Sequence, residues 1–310
     1  MLKRSILDTI GGTPLVELSK LNPKASVHLF AKLEGQNPSG SVKDRIAKYM
    51  IEEAEAKGEL TPDKVILEAT SGNTGIALAM IGRRKGYRVV AVMPENVSQE
   101  RCQLLGVYGA EIVFTDGAQG TNGAIEVARR MAQDPRYYMP NQFENPANPL
   151  AHYETTGPEI LNDLPQIDVF VAGIGTGGTV TGAGRYLKER RPGVKIFGVE
   201  PHPSEQIQGL RSLEAGFVPP ILDQSVLDGR MAVRGKDAFL ALRQLLTKEG
   251  IFVGMSSGAV IHCALRLAQQ MESGNIVALL ADGGWKYLSS ELWKMSEMEL
   301  EEGLEGRTWW

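Results

Sequence analysis

The stretch Asn37-Pro38-Ser39-Gly40-Ser41-Val42-Lys43-Asp44-Arg45 places a lysine where a nucleophilic amine could work. Lys43 follows a Pro/Gly/Ser loop and stands at the start of a predicted helix, Asp44 to Lys57. The backbone therefore fixes its direction while a cleft can still reach it. A lysine condenses with an aldehyde when its surroundings disfavour the ammonium form, and the partial positive charge of a helix N-terminus acts in that sense. Taken alone, the stretch reads more simply as a solvated surface lysine, so other loops must decide.

Three glycine-containing loops follow predicted strands, where ligands collect in open parallel sheets. Thr70-Ser71-Gly72-Asn73-Thr74-Gly75 opens a helix, and one Ser, Thr or Asn would suffice as its cap. Four polar residues interleaved with two glycines exceed capping, and they point to a carboxylate or phosphate site. Gly173-Ile174-Gly175-Thr176-Gly177-Gly178-Thr179 satisfies G-x-G-x-x-G, and Glu200 ends the next strand about 20 residues on, as a dinucleotide site would have it. A dinucleotide-dependent oxidoreductase is therefore one reading. That fingerprint normally opens its domain, however, and here four predicted strands precede it; a cradle for one phosphate explains the glycines equally well. The third loop, Gly254-Met255-Ser256-Ser257-Gly258, carries two serines that are as readily caps as ligands.

The elements that must position these loops alternate in type. Apolar, β-branched runs predict strands at Val27 to Leu33, Val65 to Ala69, Tyr87 to Met93, Glu111 to Phe114, Asp168 to Gly173, Lys195 to Val199, Ile251 to Val253 and Ile276 to Ala281. Helical periods lie between most of them, at Ile76 to Lys85, Gln99 to Tyr108, Ala124 to Ala132, Asp237 to Lys248 and Ala259 to Gln270. Such alternation predicts an α/β fold with parallel sheets covered on both faces. A polar, Pro-containing stretch, Asn141 to Pro149, is a candidate domain boundary. The irregular stretch Pro201 to Pro220, with four prolines, has the length of a functional loop.

With 310 residues, of which 43% are hydrophobic and 23% charged, the chain has the composition of a soluble protein of two domains. A net charge of −4 gives no basic footprint for nucleic acid or an anionic membrane. No apolar run reaches the length of a membrane span, and a cytoplasmic location is expected. Cys102 and Cys263 are far apart and the four histidines form no ligand spacing, so neither a disulfide nor a metal site is expected.

A reactive lysine, a carboxylate loop and a monophosphate cradle are the parts needed to hold pyridoxal phosphate and an amino acid. Pro38 to Arg45, Thr70 to Gly75, Gly175 to Thr179 and Ser256-Ser257-Gly258 resemble, in order, the motifs of the cysteine synthases, beginning at Gly12-Thr13-Pro14-Leu15. These are fold type II pyridoxal-phosphate enzymes related to the tryptophan synthase β subunit. The resemblance implies a smaller N-terminal domain over 39–145, and a larger one from 1–38 plus 146–310, with the active site in the cleft between them. Lys43 would attach the cofactor and carry the α-proton, and Asn73 would bond the cofactor's 3′-oxygen. Thr70, Ser71, Gly72, Thr74 and Gln142 would bind the substrate carboxylate. Gly175, Thr176, Gly177, Gly178 and Thr179 would hold the cofactor phosphate, and Ser256 would face the pyridine nitrogen. Asp282 is a possible neighbour. A homodimer is also implied.

Ser98-Gln99-Glu100-Arg101, Ala151-His152-Tyr153, Thr155 to Glu159 and Lys286-Tyr287-Leu288-Ser289 resemble the cysteine synthase B branch. The actinobacterial type within it uses O-phosphoserine and a thiocarboxylated sulfur-carrier protein. On that resemblance Arg211, in Leu210-Arg211-Ser212-Leu213, would pair with the substrate phosphate. The tail Leu304-Glu305-Gly306-Arg307-Thr308-Trp309 resembles the same type and is expected to close the cleft. A catalytically silent scaffold of the same fold stands as the non-enzyme alternative.

Overall fold

The computed structural model describes residues 2–214, 217–290 and 293, so the cleft-closing tail lies outside the described residues. Among the described residues the strands are β1 (Leu15–Glu17), β2 (Val27–Leu33), β3 (Val65–Ala69), β4 (Arg88–Pro94), β5 (Glu111–Thr115), β6 (Tyr137–Tyr138), β7 (Val169–Gly173), β8 (Lys195–Pro201), β9 (Gly229–Val233) and β10 (Gly274–Leu280). The helices are α1 (Lys43–Ala56), α2 (Asn73–Lys85), α3 (Gln99–Val107), α4 (Gly120–Met131), α5 (Ala147–Ala151), α6 (Gly157–Asp163), α7 (Gly178–Arg190), α8 (Gly235–Glu249) and α9 (Met255–Gln270). Among the described residues no helix is long and apolar enough to cross a membrane.

Two sheets form, one in the order β5-β4-β3-β6 and one in the order β1-β2-β10-β7-β8-β9. Every pairing is parallel except β1 with β2. Central strands are apolar on both faces because helices cover both: β4 buries Val89 through Pro94, and β10 buries Ile276 through Leu280. On the larger sheet α8 and α9 supply Phe239, Leu242, Leu245 and Val260 to one core, while Val180, Ala183 and Leu187 of α7 fill the other. Helix α1 packs two ways. Ala47, Ile51 and Ala54 join the smaller sheet's core, and Ile46 and Met50 meet Ala147 and Ala151 of α5.

Strand order locates the ligand crevice. In the smaller sheet the chain runs from β3 outward through β4 and β5, then returns to pair β6 with the other side of β3. In the larger sheet it runs outward from β7 through β8 and β9, then returns to insert β10 between β7 and β2. Each reversal is a switch point, and both present loops from the carboxyl ends of their strands.

One expected strand is corrected. Ile251 to Val253 forms only a single antiparallel bridge, Val253 to Gly283, because the chain there crosses the end of β10 and Gly254 N–H donates to Asp282 O. A Cβ on Gly254 would lie 2.3 Å from Asp282 Oδ1, so only glycine allows that approach. The short β1 and β6 and the half-exposed edge strand β9 carried too little apolar period to be anticipated. From Pro201 to Pro220 the described chain is irregular, as expected.

Candidate active site

Lys43 is the first residue of α1, and the loop before it is tied down on both sides. Val42 N–H donates to Ala281 O at 2.8 Å, Ser41 bridges to Asp282, and Ser39 bonds the buried carboxylate of Asp44. Burial holds the Lys43 amine below its ordinary value, and the charges of Asp282 and Glu34 recover only part of that shift. The sequence could not show this burial. It is what separates Lys43 from a solvated lysine.

The loop after β3 stands at the first switch point. Thr70 Oγ1 accepts the N–H groups of Gly72 and Gly75, and α2 starts at Asn73, earlier than its apolar period suggested. Gln142, just beyond β6, donates to Ala69 O at 3.1 Å and accepts from Thr74 Oγ1 at 2.7 Å. The turn carrying it has Asn141 at φ 54° and is held by Glu68, whose carboxylate accepts the N–H groups of Asn141 and Gln142.

At the second switch point Gly173 to Thr179 leads into α7, with Gly177 at φ 86°. A Cβ on Gly175 would meet Gly209 O at 2.6 Å, which makes this a tight turn that side chains would close. Behind it lies His152, in a π-helical turn over His152–Thr156. Its Nδ1 is 2.9 Å from Thr156 Oγ1 and its Nε2 is 3.2 Å from Thr179 Oγ1. Burial, with the Arg45 charge adding to it, pushes His152 down to about 3. The unfolded chain takes up that proton below its ordinary value of 6.5 and the folded chain does not, so stability falls as pH drops through this window. Between pH 7 and pH 5 this amounts to about 2 kcal/mol. In urea titrations at both pH values, His152→Gln should therefore narrow its stability gap to the parent by about that much at pH 5. An unchanged gap would exclude a buried neutral histidine.

These loops converge on a cavity of about 90 Å³ lined by Lys43, Thr70, Ser71, Asn73, Thr74 and Gln142 from one side and Gly175, Thr176, Arg211 and Ser256 from the other. An adjoining recess reaches Gly177 and Thr179 and shares Lys43 and Ser256. Outward, past Ser71 and Arg211, lies a vestibule of about 250 Å³ between residues 119–122 and 201–212. Two expected site residues are absent from these walls: Gly72 packs at φ 140° against Arg101, and Gly178 packs against Asn148. They shape the loops. Glu200, which a dinucleotide reading needs, instead accepts Leu213 N–H at 2.7 Å and pairs with Arg230 at 3.1 Å.

Arg211 is the most informative of the cavity residues. Its Nη1 donates to Asn122 Oδ1 at 3.1 Å, and its guanidinium lies 4.2 Å from the Phe217 ring centre and 5.2 Å from that of Phe143. Burial lowers its pKa, and no carboxylate partner exists among the described residues.

Sequence reasoning left one cluster without a role. Asp282, at the end of β10, accepts from Asn73 Nδ2 at 2.7 Å and from the Tyr287 hydroxyl at 2.6 Å. Lys286, fully buried, donates to Asn73 Oδ1 at 2.8 Å. Asn73 and Lys286 are separated by 213 positions, and only the motif Lys286 to Ser289 hinted that this turn matters.

The residues fit pyridoxal phosphate on structural grounds: a half-buried lysine on the cavity wall whose amine is held below its ordinary pKa, a glycine cradle at the start of the 13-residue α7, and Ser256, buried at the start of α9 on the cavity wall. Two parallel sheets whose switch points meet at such a lysine define a pyridoxal-phosphate enzyme of fold type II. The model of that family, described as pyridoxal-phosphate dependent enzyme, matches residues 6–282. A cysteine synthase of Staphylococcus aureus is 43% identical over 303 residues, covering 94% of this chain and 98% of the relative. An O-ureido-L-serine synthase is 42% identical with a TM-score of 0.91, covering 96% of this chain and 97% of that one. An O-acetylserine sulfhydrylase isoform of Entamoeba histolytica is 40% identical with a TM-score of 0.88, covering 96% and 93%. The chain belongs to the cysteine synthase family of pyridoxal-phosphate dependent enzymes, and pyridoxal phosphate is its cofactor.

Proposed function

We propose that the protein makes L-cysteine by β-replacement on an activated serine, with O-phospho-L-serine preferred over O-acetyl-L-serine. The observation that carries the preference is Arg211, a desolvated cation on the cavity wall with no carboxylate partner among the described residues. A partly desolvated cation with no carboxylate partner gains from an anion, and a dianionic phosphate supplies one where a neutral acetyl group cannot. The two aromatic rings and Asn122 hold the guanidinium in place before substrate arrives.

In this reading Thr70, Ser71, Thr74 and Gln142 bind the substrate carboxylate, orienting the α-carbon toward Lys43. Lys43 anchors the cofactor, and after substrate exchange its Nζ takes the α-proton. The cofactor, when bound, supplies an electron sink for the resulting carbanion. The Cβ–O bond breaks, phosphate departs toward Arg211, a C–S bond forms at the same carbon, and Lys43 Nζ returns the proton to the α-carbon. Gly175, Thr176, Gly177, Gly178 and Thr179 would hold the cofactor phosphate, and Asn73 would bond its 3′-oxygen. Ser256, a neutral group on the cavity wall, would face the ring nitrogen without enforcing its protonation, which would favour elimination over transamination. The vestibule gives the sulfur donor its approach: sulfide yields cysteine directly, whereas a thiocarboxylated carrier protein yields cysteine joined to the carrier through an acyl bond that water must cleave in a later step. The division into domains 39–145 and 1–38 plus 146–310 and homodimeric assembly belong to the same proposal and rest on the sequence resemblance, while a cytoplasmic location is proposed from the lack of a long apolar run.

The test compares both activated serines by spectral titration and by steady-state kinetics. Arg211→Ala should lower kcat/KM for O-phosphoserine on the order of 10²-fold while changing that for O-acetylserine only about threefold. Equal losses on the two substrates would remove the phosphate role.

A further inference from the structure

We infer that Lys286 is a positioning residue for the cofactor, acting through Asn73. The inference deepens the proposed function and rests on the role of Asn73 given there. An amide side chain can face either way, and only its neighbours decide which end presents N–H groups. Here both ends are fixed. Lys286 Nζ, which can only donate, holds Oδ1 at 2.8 Å, and Asp282 Oδ2 holds one hydrogen of Nδ2 at 2.7 Å. Nδ2 keeps a second hydrogen, and Asn73 lines the cavity beside Lys43. With Lys286 in place the flipped amide would set two donors against each other and leave the carbonyl facing a carboxylate.

The geometry around Lys286 shows that it is built to hold this position. Its side chain is fully buried, its carbonyl accepts from Ser98 Oγ at 2.6 Å, and Gly40 passes so close that a Cβ there would lie 3.3 Å from Lys286 Cε. Burial lowers its pKa to about 8, while the Asp282 and Asp44 charges favour the ammonium form. Tyr287, the next residue, braces the other clamp by donating to Asp282 Oδ2. A buried ammonium is costly, and a hydrophobic side chain of the same length would fill the space without that cost. Its contact with Asn73 gives it a use at the site.

A double-mutant cycle on the holoenzyme separates this role from a structural one. Cofactor retention is measured by equilibrium dialysis, together with the position of the bound cofactor's visible band and the thermal midpoint. Lys286→Met should weaken retention about 10-fold, the worth of one buried charged hydrogen bond, and shift the band. In an Asn73→Ala background the same substitution should change neither. Lys286→Gln is carried in parallel, because it keeps an N–H donor and guards against misfolding of the methionine variant; it should show a smaller loss that also vanishes with Asn73→Ala. Losses that add in the double variants would overturn the positioning role while leaving Asn73 in place. If Asn73→Ala alone leaves retention and the band unaltered, the role of Asn73 falls, and this inference with it.

Discussion

Lys43→Ala should fold as the parent does and lose covalent attachment of the cofactor completely. Borohydride reduction followed by mass measurement reads this directly: the parent should gain the mass of the cofactor and the variant should not. Turnover should fall by at least about 10³-fold, since the variant loses both a covalent anchor and the base that handles the α-proton. The fold should tolerate the change because the amine is itself a burden: burial lowers its pKa, so removing it leaves no stranded partner of comparable cost. Asp282, whose charge favours the ammonium form, keeps its bonds to Asn73 and Tyr287. A thermal midpoint within a few degrees of the parent is therefore expected for the apoprotein. A variant that still gains the cofactor's mass on reduction would move the attachment point elsewhere, with the buried Lys286 the obvious alternative.

What the sequence made legible was local. Lys43 follows a loop of Pro, Gly and Ser, and the Thr70 to Gly75 and Gly173 to Thr179 loops announce themselves through glycines interleaved with hydroxyl and amide residues. The strand at Ile276 to Leu280 was readable because helices cover both faces and leave an unbroken apolar run. What escaped depends on distant pairing. Asp282 looks like any acidic residue after a strand until Asn73, 209 positions away, is brought against it. Ile251 to Val253 has the composition of a strand, but its neighbour Gly254 turns it across the end of β10. Gly72 and Gly178 belong to motifs and also let Arg101 and Asn148 pack where a Cβ would stand, so some glycines of a loop permit packing as well as ligand approach.

The second large effect concerns stability, and it starts from a network that no motif suggested. Two residues past Lys43, Arg45 is buried and meets two carboxylates. Its Nε and Nη2 reach Glu34 at 2.7 and 2.9 Å, and its Nη1 and Nη2 reach Glu159 at 2.7 Å each. Thr13 and Asn37 complete the bonds to Glu34, and Lys32 adds a second cation 2.9 Å from Glu159. Burial alone would raise Glu34, but the charge and hydrogen bonds of Arg45 outweigh it and hold the carboxyl below its ordinary value. The same contest leaves Glu159 at about 2. Arg45 and Lys32 face Glu34 and Glu159, with Asp163 3.9 Å from Lys32 at the more exposed end, so each buried charge is tolerable only while its partners remain.

Arg45→Met should therefore cost about 3–5 kcal/mol, because it strands the fully buried Glu34. That is a large share of the 5–15 kcal/mol typical of a folded domain, roughly, and it should appear as a lower urea midpoint with an unchanged slope. The double variant Glu34→Met/Arg45→Met should recover much of the loss, since apolar side chains of similar volume need no partner. The consequence reaches the site: Arg45 lies one half-turn from Lys43 on α1, and Glu34 contributes to the Lys43 charge environment. Of the two charges removed, Glu34 favours the ammonium form of Lys43 and the Arg45 cation opposes it, so the double substitution should leave the balance at the Lys43 amine nearly unchanged. A double variant no more stable than Arg45→Met would show that the network contributes more than charge compensation.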